Sequence, residues 1–253
     1  MLKYILPLYY TIHSRSKGIH FVSYFLMVFM PPFLLKLFLT ASFSLIDVFL
    51  YLLSFLGMLS VYECGYLIND VVCIKKDPQP TNRISEEERE KIERRLPFII
   101  LCKLFVCIFF SILLSNFNSL NIFFYGICNI LIFVGYVVHN HYRNWIPFVT
   151  VFILTTLNYF TPLAFFIDYN DCSFYLFFII LYFSIPKTYF YIVRKVTKHS
   201  IKNEPLKFGI YYIVAAFITL ILFLMNNVSF YTISIPLYLS LYRFSIFIGK
   251  KII

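Results

Sequence analysis

Residues 45–85 read LIDVFLYLLSFLGMLSVYECGYLINDVVCIKKDPQPTNRIS, and this segment decides the fold. Its first half is long and apolar enough to cross a membrane as a helix, since about 20 residues span roughly 30 Å of hydrocarbon. Its second half is a charged loop. Asn69, Asp70 and Asp77 lie where the two halves meet. Carboxylates near lipid are costly and usually serve a function, so we expect a site at this junction.

The composition extends this reading to the whole chain. Of 253 residues, 60% are hydrophobic and only 13% are charged, which is more apolar surface than a soluble domain of this length can bury. The apolar runs are too long for strands of a membrane barrel. We predict an all-α, polytopic transmembrane bundle that forms a single integral membrane domain over residues 1–253. It has about eight spans, near 19–39, 45–68, 97–115, 119–138, 146–167, 172–191, 207–225 and 228–248.

The distribution of basic residues predicts the orientation. Lys and Arg cluster near the N-terminus, in alternate loops and after the last span, whereas the loops at 40–44, 116–118, 168–171 and 226–227 have none. By the positive-inside rule, both termini and the loops at about 70–96 and 192–206 are cytoplasmic, in an inner or plasma membrane. The net charge of +10 then reflects orientation and anionic lipid headgroups, and requires no nucleic-acid partner.

The junction has the composition of a magnesium site. If the helix continues beyond the interface, Asn69, Cys73 and Asp77 share one face, with Asp70 beside them. The proline after Asp77 ends the helix and allows Asp77 to fold back towards Asp70. Two carboxylates and an amide oxygen are ligands that Mg²⁺ prefers when it also binds substrate phosphates. The alternative is that Asn69 and Asp70 only cap the helix and face water.

Basic residues follow this junction in the loop. We expect Lys75, Lys76 and Arg83 to contact phosphate oxygens, and Arg83 can do so with two parallel hydrogen bonds. Ser85 and Glu88 have the spacing of a capping box, which predicts a polar helix immediately after the loop. We interpret this helix as a solvated lid or spacer.

The run GYLINDVVCIKKDPQPTNRIS at 65–85 resembles the first aspartate-rich motif of the UbiA-type intramembrane prenyltransferases, written NDxxDxxxD and followed by an arginine. Asn69, Asp70, Asp77 and Arg83 match it, whereas Cys73 stands where the family has aspartate. The resemblance implies a UbiA-like fold, Mg²⁺ bound by Asn69, Asp70 and Asp77, and catalytic roles for Asp70 and Asp77. It also implies transfer of a prenyl group from a prenyl diphosphate, or another diphosphate donor, to a lipid or aromatic acceptor.

A second aspartate cluster of that family has no counterpart in this chain. The corresponding segment, IPKTYFYIVRKVTKHSIKNE at 185–204, contains no aspartate. Lys187, Tyr191 and Arg194 share a helix face, where they either bind phosphate in place of a metal or form an ordinary anchor at the membrane surface. Tyr142 and Arg143 are further candidates for substrate contact, because the family often has a tyrosine and basic residues in that loop.

Three alternatives stay open. The run PQPTNR at 78–83 resembles a segment of decaprenyl-phosphate phosphoribosyltransferases, which implies phosphoribosyl transfer from phosphoribosyl diphosphate to a polyprenyl phosphate. Cys73 and the missing second cluster are also consistent with a non-catalytic, lipid-binding relative. A transporter is disfavoured, because interrupted spans with charged residues at mid-membrane are scarce.

Overall fold

The computed structural model describes residues 2–15, 19–40, 44–76, 82–142, 145–168, 171–197, 203–225 and 230–252. These ranges are helical and contain no strand, which confirms the all-α prediction. The α-helices are α1 (Ile19–Tyr24), α2 (Met30–Thr40), α3 (Leu45–Val71), α4 (Glu86–Glu93), α5 (Leu96–Ser115), α6 (Ser119–His141), α7 (Ile146–Ala164), α8 (Cys172–Ile179), α9 (Ile185–Thr197), α10 (Glu204–Leu224) and α11 (Ser234–Ile252).

Short helical segments of other types complete the chain. Two π-helical segments, Phe25–Phe29 and Ile180–Ser184, join α1 to α2 and α8 to α9. A third, Thr11–Arg15, lies in the N-terminal segment (residues 2–15), which begins with a 3-10 turn at Leu2–Tyr4. Further 3-10 turns are Cys73–Lys76, after α3, and Phe230–Ile233, before α11.

Seven helical stretches of the described chain are long and apolar enough to cross a membrane. They are Leu45–Lys75, Leu96–Ser115, Asn121–His141, Ile146–Ala164, Cys172–Val196, Glu204–Leu224 and Phe230–Gly249. The first predicted span, 19–39, differs, because its apolar helix Val22–Phe38 is shorter. At 1.5 Å per residue this helix rises only about 26 Å, less than the roughly 30 Å of hydrocarbon. The described ranges therefore form a polytopic helical bundle with seven such stretches and one shorter apolar helix.

Helix α3 lies at the centre of the bundle and packs against α5, α6 and α7. Tyrosines fill much of this core, and their hydroxyls donate to backbone carbonyls that the helices leave accessible. Tyr125 donates to the Ser54 carbonyl at 2.7 Å, and Tyr159 donates to the Met27 carbonyl at 3.0 Å. Buried polar groups in lipid need such partners, so these bonds allow a polar side chain to serve as core.

The predicted helix start at Ser85 is confirmed. The Ser85 hydroxyl accepts a hydrogen bond from the Glu88 amide at 3.3 Å, and α4 begins at the next residue. The Glu88 side chain does not complete the reciprocal capping box. It contacts Tyr4 and Lys3 of the N-terminal segment instead. The polar helix α4 is thereby attached to the start of the chain.

Helices α3 and α6 approach closely at Gly65, where a Cβ atom would lie 2.1 Å from Cγ of the Tyr136 ring. We therefore expect Gly65→Ala to lower the free energy of unfolding by about 1–3 kcal/mol, the usual cost of overpacking a core. Gly126→Ala is the matched control, because nothing lies within 4 Å of a Cβ at that helical position. Alanine there should be neutral or slightly stabilising. Denaturant titration in mixed micelles measures both variants, and equal stabilities would contradict the tight helix contact.

Candidate functional site at the basic end of the bundle

The Asp70 carboxylate, near the end of α3, is 1% exposed and is held by two guanidinium groups. Arg15 Nη2 donates to both carboxylate oxygens, at 2.9 and 3.0 Å. Arg83 Nη1 donates to Oδ1 at 2.9 Å. Tyr10 Oη and Asn69 Nδ2 add hydrogen bonds of 2.8 and 3.0 Å. Asp70 is thus the shared counter-ion of two cations, one of which precedes α3 in the sequence while the other follows it.

This geometry bears on the predicted magnesium ligands. Both oxygens of Asp70 already accept hydrogen bonds, and Asn69 presents its amide nitrogen to Asp70. A divalent cation here would have to displace two guanidinium groups, so the described residues as arranged do not fit a metal. No group of three His, Cys, Asp or Glu suited to a metal occurs among the described residues either. Asp77 lies outside them, so the complete Mg²⁺ ligand set stays a prediction.

A second ion pair is buried about two turns deeper along α3. Glu63 and Lys103 of α5 are both inaccessible to solvent, and Lys103 Nζ lies 2.6 Å from Glu63 Oε2. The backbone amide and hydroxyl of Thr11 donate to the other oxygen, at 2.7 and 2.8 Å. Lone charges buried in a low-dielectric interior are strongly unfavourable, so each residue stabilises the charge of the other. Glu63, close to the predicted site in sequence, therefore binds α5 and the N-terminal segment.

The N-terminal segment supplies contacts that the sequence analysis missed. Tyr10, Thr11 and Arg15 contact α3, while the Tyr4 hydroxyl donates to Glu88 of α4. The Tyr4 hydrogen bond, aided by the Lys3 charge, lowers the pKa of Glu88. One feature of the sequence could have indicated these contacts. Tyrosines and basic residues are mixed before the first apolar run, a composition typical of segments at a membrane surface.

A cavity of about 290 Å³ lies beside Asp70, at the end of the bundle that carries the loop after α3. We call this end the basic end. The guanidinium of Arg15 lies 3.6 Å from the centroid of the Tyr66 ring and forms one wall. The cavity is lined by Arg15, Tyr62, Tyr66, Asn69, Tyr136, His139, Asn140, Val151, Leu154, Thr155 and Tyr191. It therefore combines one cation and several amide and hydroxyl groups with an aromatic surface.

Two buried polar atoms of the cavity lining have no hydrogen-bond partner among the residues that the structure describes. They are Nε of Arg15, a donor, and Oδ1 of Asn140, an acceptor. The Asn140 amide nitrogen is used, because it donates to the Gly65 carbonyl at 3.2 Å. Unsatisfied buried groups are unfavourable, and at a cavity wall they are available to a polar ligand.

The structure brings together some of the predicted site residues and separates others. Asn69 and Tyr191 line the cavity, and Arg83 reaches Asp70 beside it. Lys187 lies one helical turn from Tyr191, with Nζ 4.5 Å from the Tyr159 ring centroid.

The other predicted contacts lie elsewhere. Lys75 pairs with Glu93 on the surface at 2.6 Å, Arg194 pairs with Glu204, and the exposed Tyr142 ring packs edge-on against His141. Asp77 and Arg143 lie outside the described residues. Lys76 ends the 3-10 turn after α3.

Comparisons with models of known families, with curated proteins and with solved structures find no match for this chain. Its class is consequently defined by its own fold and site. It is an integral membrane protein of the polytopic helical type, with paired charges and a polar cavity at one end of the bundle.

Replacing Asp70 tests the role of its carboxylate as shared counter-ion. Asp70→Asn keeps the size but leaves the Arg15 and Arg83 charges without an anion, so we expect the N-terminal segment to detach. Removing one partner of a buried pair costs about 3 kcal/mol. Amide hydrogen exchange should show lost protection in residues 2–15. Asp168→Asn, at an exposed carboxylate after α7, is the control. Unchanged protection in Asp70→Asn would contradict the assigned role.

The contact between Glu88 and the N-terminal segment should depend on pH. Because the folded protein lowers the pKa of Glu88, the stabilisation is complete above the usual glutamate pKa of about 4.3. It is lost as the pH falls through the lower folded value. The rate of amide hydrogen exchange in residues 2–10, corrected for its intrinsic pH dependence, should rise only when the pH falls below the usual glutamate pKa. Glu88→Gln should remove this step, and an identical profile in that variant would assign the step to another group.

Proposed function

We propose that this protein is a UbiA-like membrane transferase that moves a prenyl group from a prenyl diphosphate to a lipid or aromatic acceptor. The observation that carries the proposal is the cavity at the basic end, where the Arg15 guanidinium faces a space walled by tyrosine rings. A diphosphate needs cations, and an isoprenoid chain needs an apolar, aromatic surface. The cavity of this membrane bundle offers one cation, Arg15, beside such an aromatic surface.

In the proposed reaction, the cations and the aromatic rings of the cavity have different roles. When the carbon–oxygen bond of the donor breaks, the diphosphate leaves with the bonding electrons, and fixed cations stabilise its growing negative charge. The carbon that becomes cationic is stabilised by the faces of aromatic rings. Tyr62 and Tyr136 pack edge to face with centroids 4.8 Å apart, which fixes ring faces and edges at the cavity. The acceptor then bonds to the carbon and releases its proton to water or diphosphate.

Asp70 acts in this proposal by positioning Arg15 and Arg83. Its carboxylate sets the place of the Arg15 guanidinium at the cavity wall, while the Nε donor of Arg15 stays unsatisfied. The roles of Asp70 and Asp77 as Mg²⁺ ligands remain proposals from the resemblance. No step of the chemistry above depends on them.

A second candidate function is supported by the same carboxylate. Since Asp70 already balances two guanidinium groups, a site without metal can bind a lipid phosphate and perform no transfer. This describes a non-catalytic, lipid-binding relative. Such a lipid-binding protein would use the same cavity and cations as the transferase, and would differ from it only in lacking turnover.

Reconstituted protein distinguishes these candidates when it is given two labelled donors, a prenyl diphosphate and phosphoribosyl diphosphate, each with Mg²⁺ and with a chelator. We expect release of diphosphate and transfer of the prenyl label, and Arg15→Gln should slow transfer by about 100-fold, the usual effect of losing one charge-stabilising donor. Lys91→Gln, on the exposed face of α4 and paired there with Glu87, is the control and should leave the rate unchanged.

The other outcomes are equally informative. Binding of the prenyl donor without release of diphosphate would support the lipid-binding candidate and refute the transferase. Transfer of the phosphoribosyl label alone would establish the phosphoribosyl alternative. Full turnover in Arg15→Gln would contradict the role of the cavity.

A further inference from the structure

Two cations that lie against buried aromatic rings have no carboxylate partner among the described residues, unlike the buried lysines Lys36 and Lys103. Lys36 pairs with Asp47 and Lys103 pairs with Glu63, at 2.7 and 2.6 Å. Lys187 of α9 and Arg243 of α11 have no ion pair with any residue of the described ranges. Unlike Lys36 and Lys103, these two cations are therefore not neutralised by a carboxylate of the described residues.

Both unpaired cations are directed into the bundle. Lys187 Nζ lies 4.5 Å from the centroid of Tyr159, a fully buried ring of α7. Arg243 Cζ lies 4.4 Å from the centroid of Phe208, a buried ring of α10. A lysine that only anchors the helix at the membrane surface would extend towards water, as long basic side chains do near helix ends. The Lys187 side chain instead extends towards the interior of the bundle.

The two side chains belong to one cluster. Arg243 acts electrostatically on Lys187 and on the phenols of Tyr159 and Tyr212, so its charge lies close to all three. The Arg243 Nε atom is buried and has no hydrogen-bond partner in the part of the chain that the structure describes. Two like charges and an unsatisfied donor thus converge on one region between α7, α9, α10 and α11.

This region lies one helical turn deeper along α7 and α9 than the lining of the cavity. Tyr191 lines the cavity, and Lys187 precedes it by one turn of α9. Thr155 also lines the cavity, and Tyr159 follows it by one turn of α7. Counted from Val196, where its span ends, Lys187 lies about 14 Å inside the membrane segment. Lys187 therefore lies on the interior side of the cavity, with Arg243 close to it.

We infer that Lys187 and Arg243 form a second anion-binding site, one helical turn deeper than the cavity, for the phosphate or diphosphate group of a lipid. Two cations without a carboxylate are complementary to a group with about two negative charges. The lysine offers a point charge, and the arginine offers donors that match phosphate oxygens. The surrounding aromatic rings suit the attached hydrocarbon chain. The inference rests on the proposed function for the choice of a prenyl chain, whereas anion binding is independent of turnover.

Equilibrium binding to protein in zwitterionic nanodiscs, with a chelator present, tests this site without catalysis. The probes are farnesyl diphosphate, farnesol and inorganic pyrophosphate. We expect farnesyl diphosphate to bind, and Lys187→Met and Arg243→Met each to weaken it about tenfold, the effect of one lost charge-assisted hydrogen bond. Lys207→Met, at an exposed lysine of α10, is the control and should bind as the unmodified protein does.

Thermal unfolding without ligand provides a second readout. Removing either unpaired, half-buried cation should leave the unfolding midpoint unchanged or raise it, while the stabilisation by farnesyl diphosphate should shrink. A structural role for Lys187 would instead lower the midpoint in Lys187→Met. A lowered midpoint in Lys187→Met would overturn the inference. So would an unchanged affinity for farnesyl diphosphate in both variants, or binding of farnesol as tight as that of farnesyl diphosphate.

The remaining outcomes separate this site from the proposed function. Tight, Lys187-dependent binding of pyrophosphate would support the anion site and identify a soluble ligand as its source. Lost binding in both variants of a protein that transfers no prenyl group would support the site and refute the transferase. Prenyl transfer that is unaffected by both substitutions would support the transferase and overturn the site.

Discussion

The buried Asp70 carboxylate is the interaction on which the basic end of the bundle depends. It joins α3 to Arg15, 55 positions earlier, and to Arg83, 13 positions later. A charge that is 1% exposed beside lipid must be balanced, so neither arginine can leave without a large cost. Two cations on one anion also leave an excess of positive charge, and Arg15 presents that excess at the cavity. The same contact therefore closes the N-terminal segment onto the bundle and places a cation at the wall of the cavity.

Much of the fold was predictable because hydropathy and bilayer thickness act on every span alike. The spans predicted at 97–115 and 172–191 correspond to the helical stretches Leu96–Ser115 and Cys172–Val196. The prediction was less successful for 19–39, which was expected to be a full span. This stretch contains a π-helical segment, Phe25–Phe29, and its apolar helix is short. Hydropathy averages over a window, so it does not detect a change of helix type inside an apolar run.

The candidate site was predictable only where its residues are neighbours in sequence. Asn69, Asp70 and Arg83 were found because one motif contains them. The partners that decide how Asp70 behaves, Arg15 and Tyr10, lie more than 50 residues away, and tertiary packing alone brings them to α3. For Lys187 the residues favoured phosphate binding and surface anchoring equally. Its inward position against Tyr159 favours the first.

The missing carboxylates and the unpaired cations have one electrostatic explanation. A diphosphate is neutralised either by metal ions, which need carboxylates to hold them, or by fixed cations, which do not. Cys73 stands where the UbiA-type motif has aspartate, and the segment of the second cluster contains Lys187 and no aspartate. The segments that resemble the family's motifs thus have fewer carboxylates than those motifs, while Arg15, Lys187 and Arg243 lie against aromatic rings of the bundle. If metal held the donor, the loss of ligands would weaken the site, and the unpaired cations would repel the ion. If the cations hold it directly, fewer nearby carboxylates strengthen the attraction for the same anion.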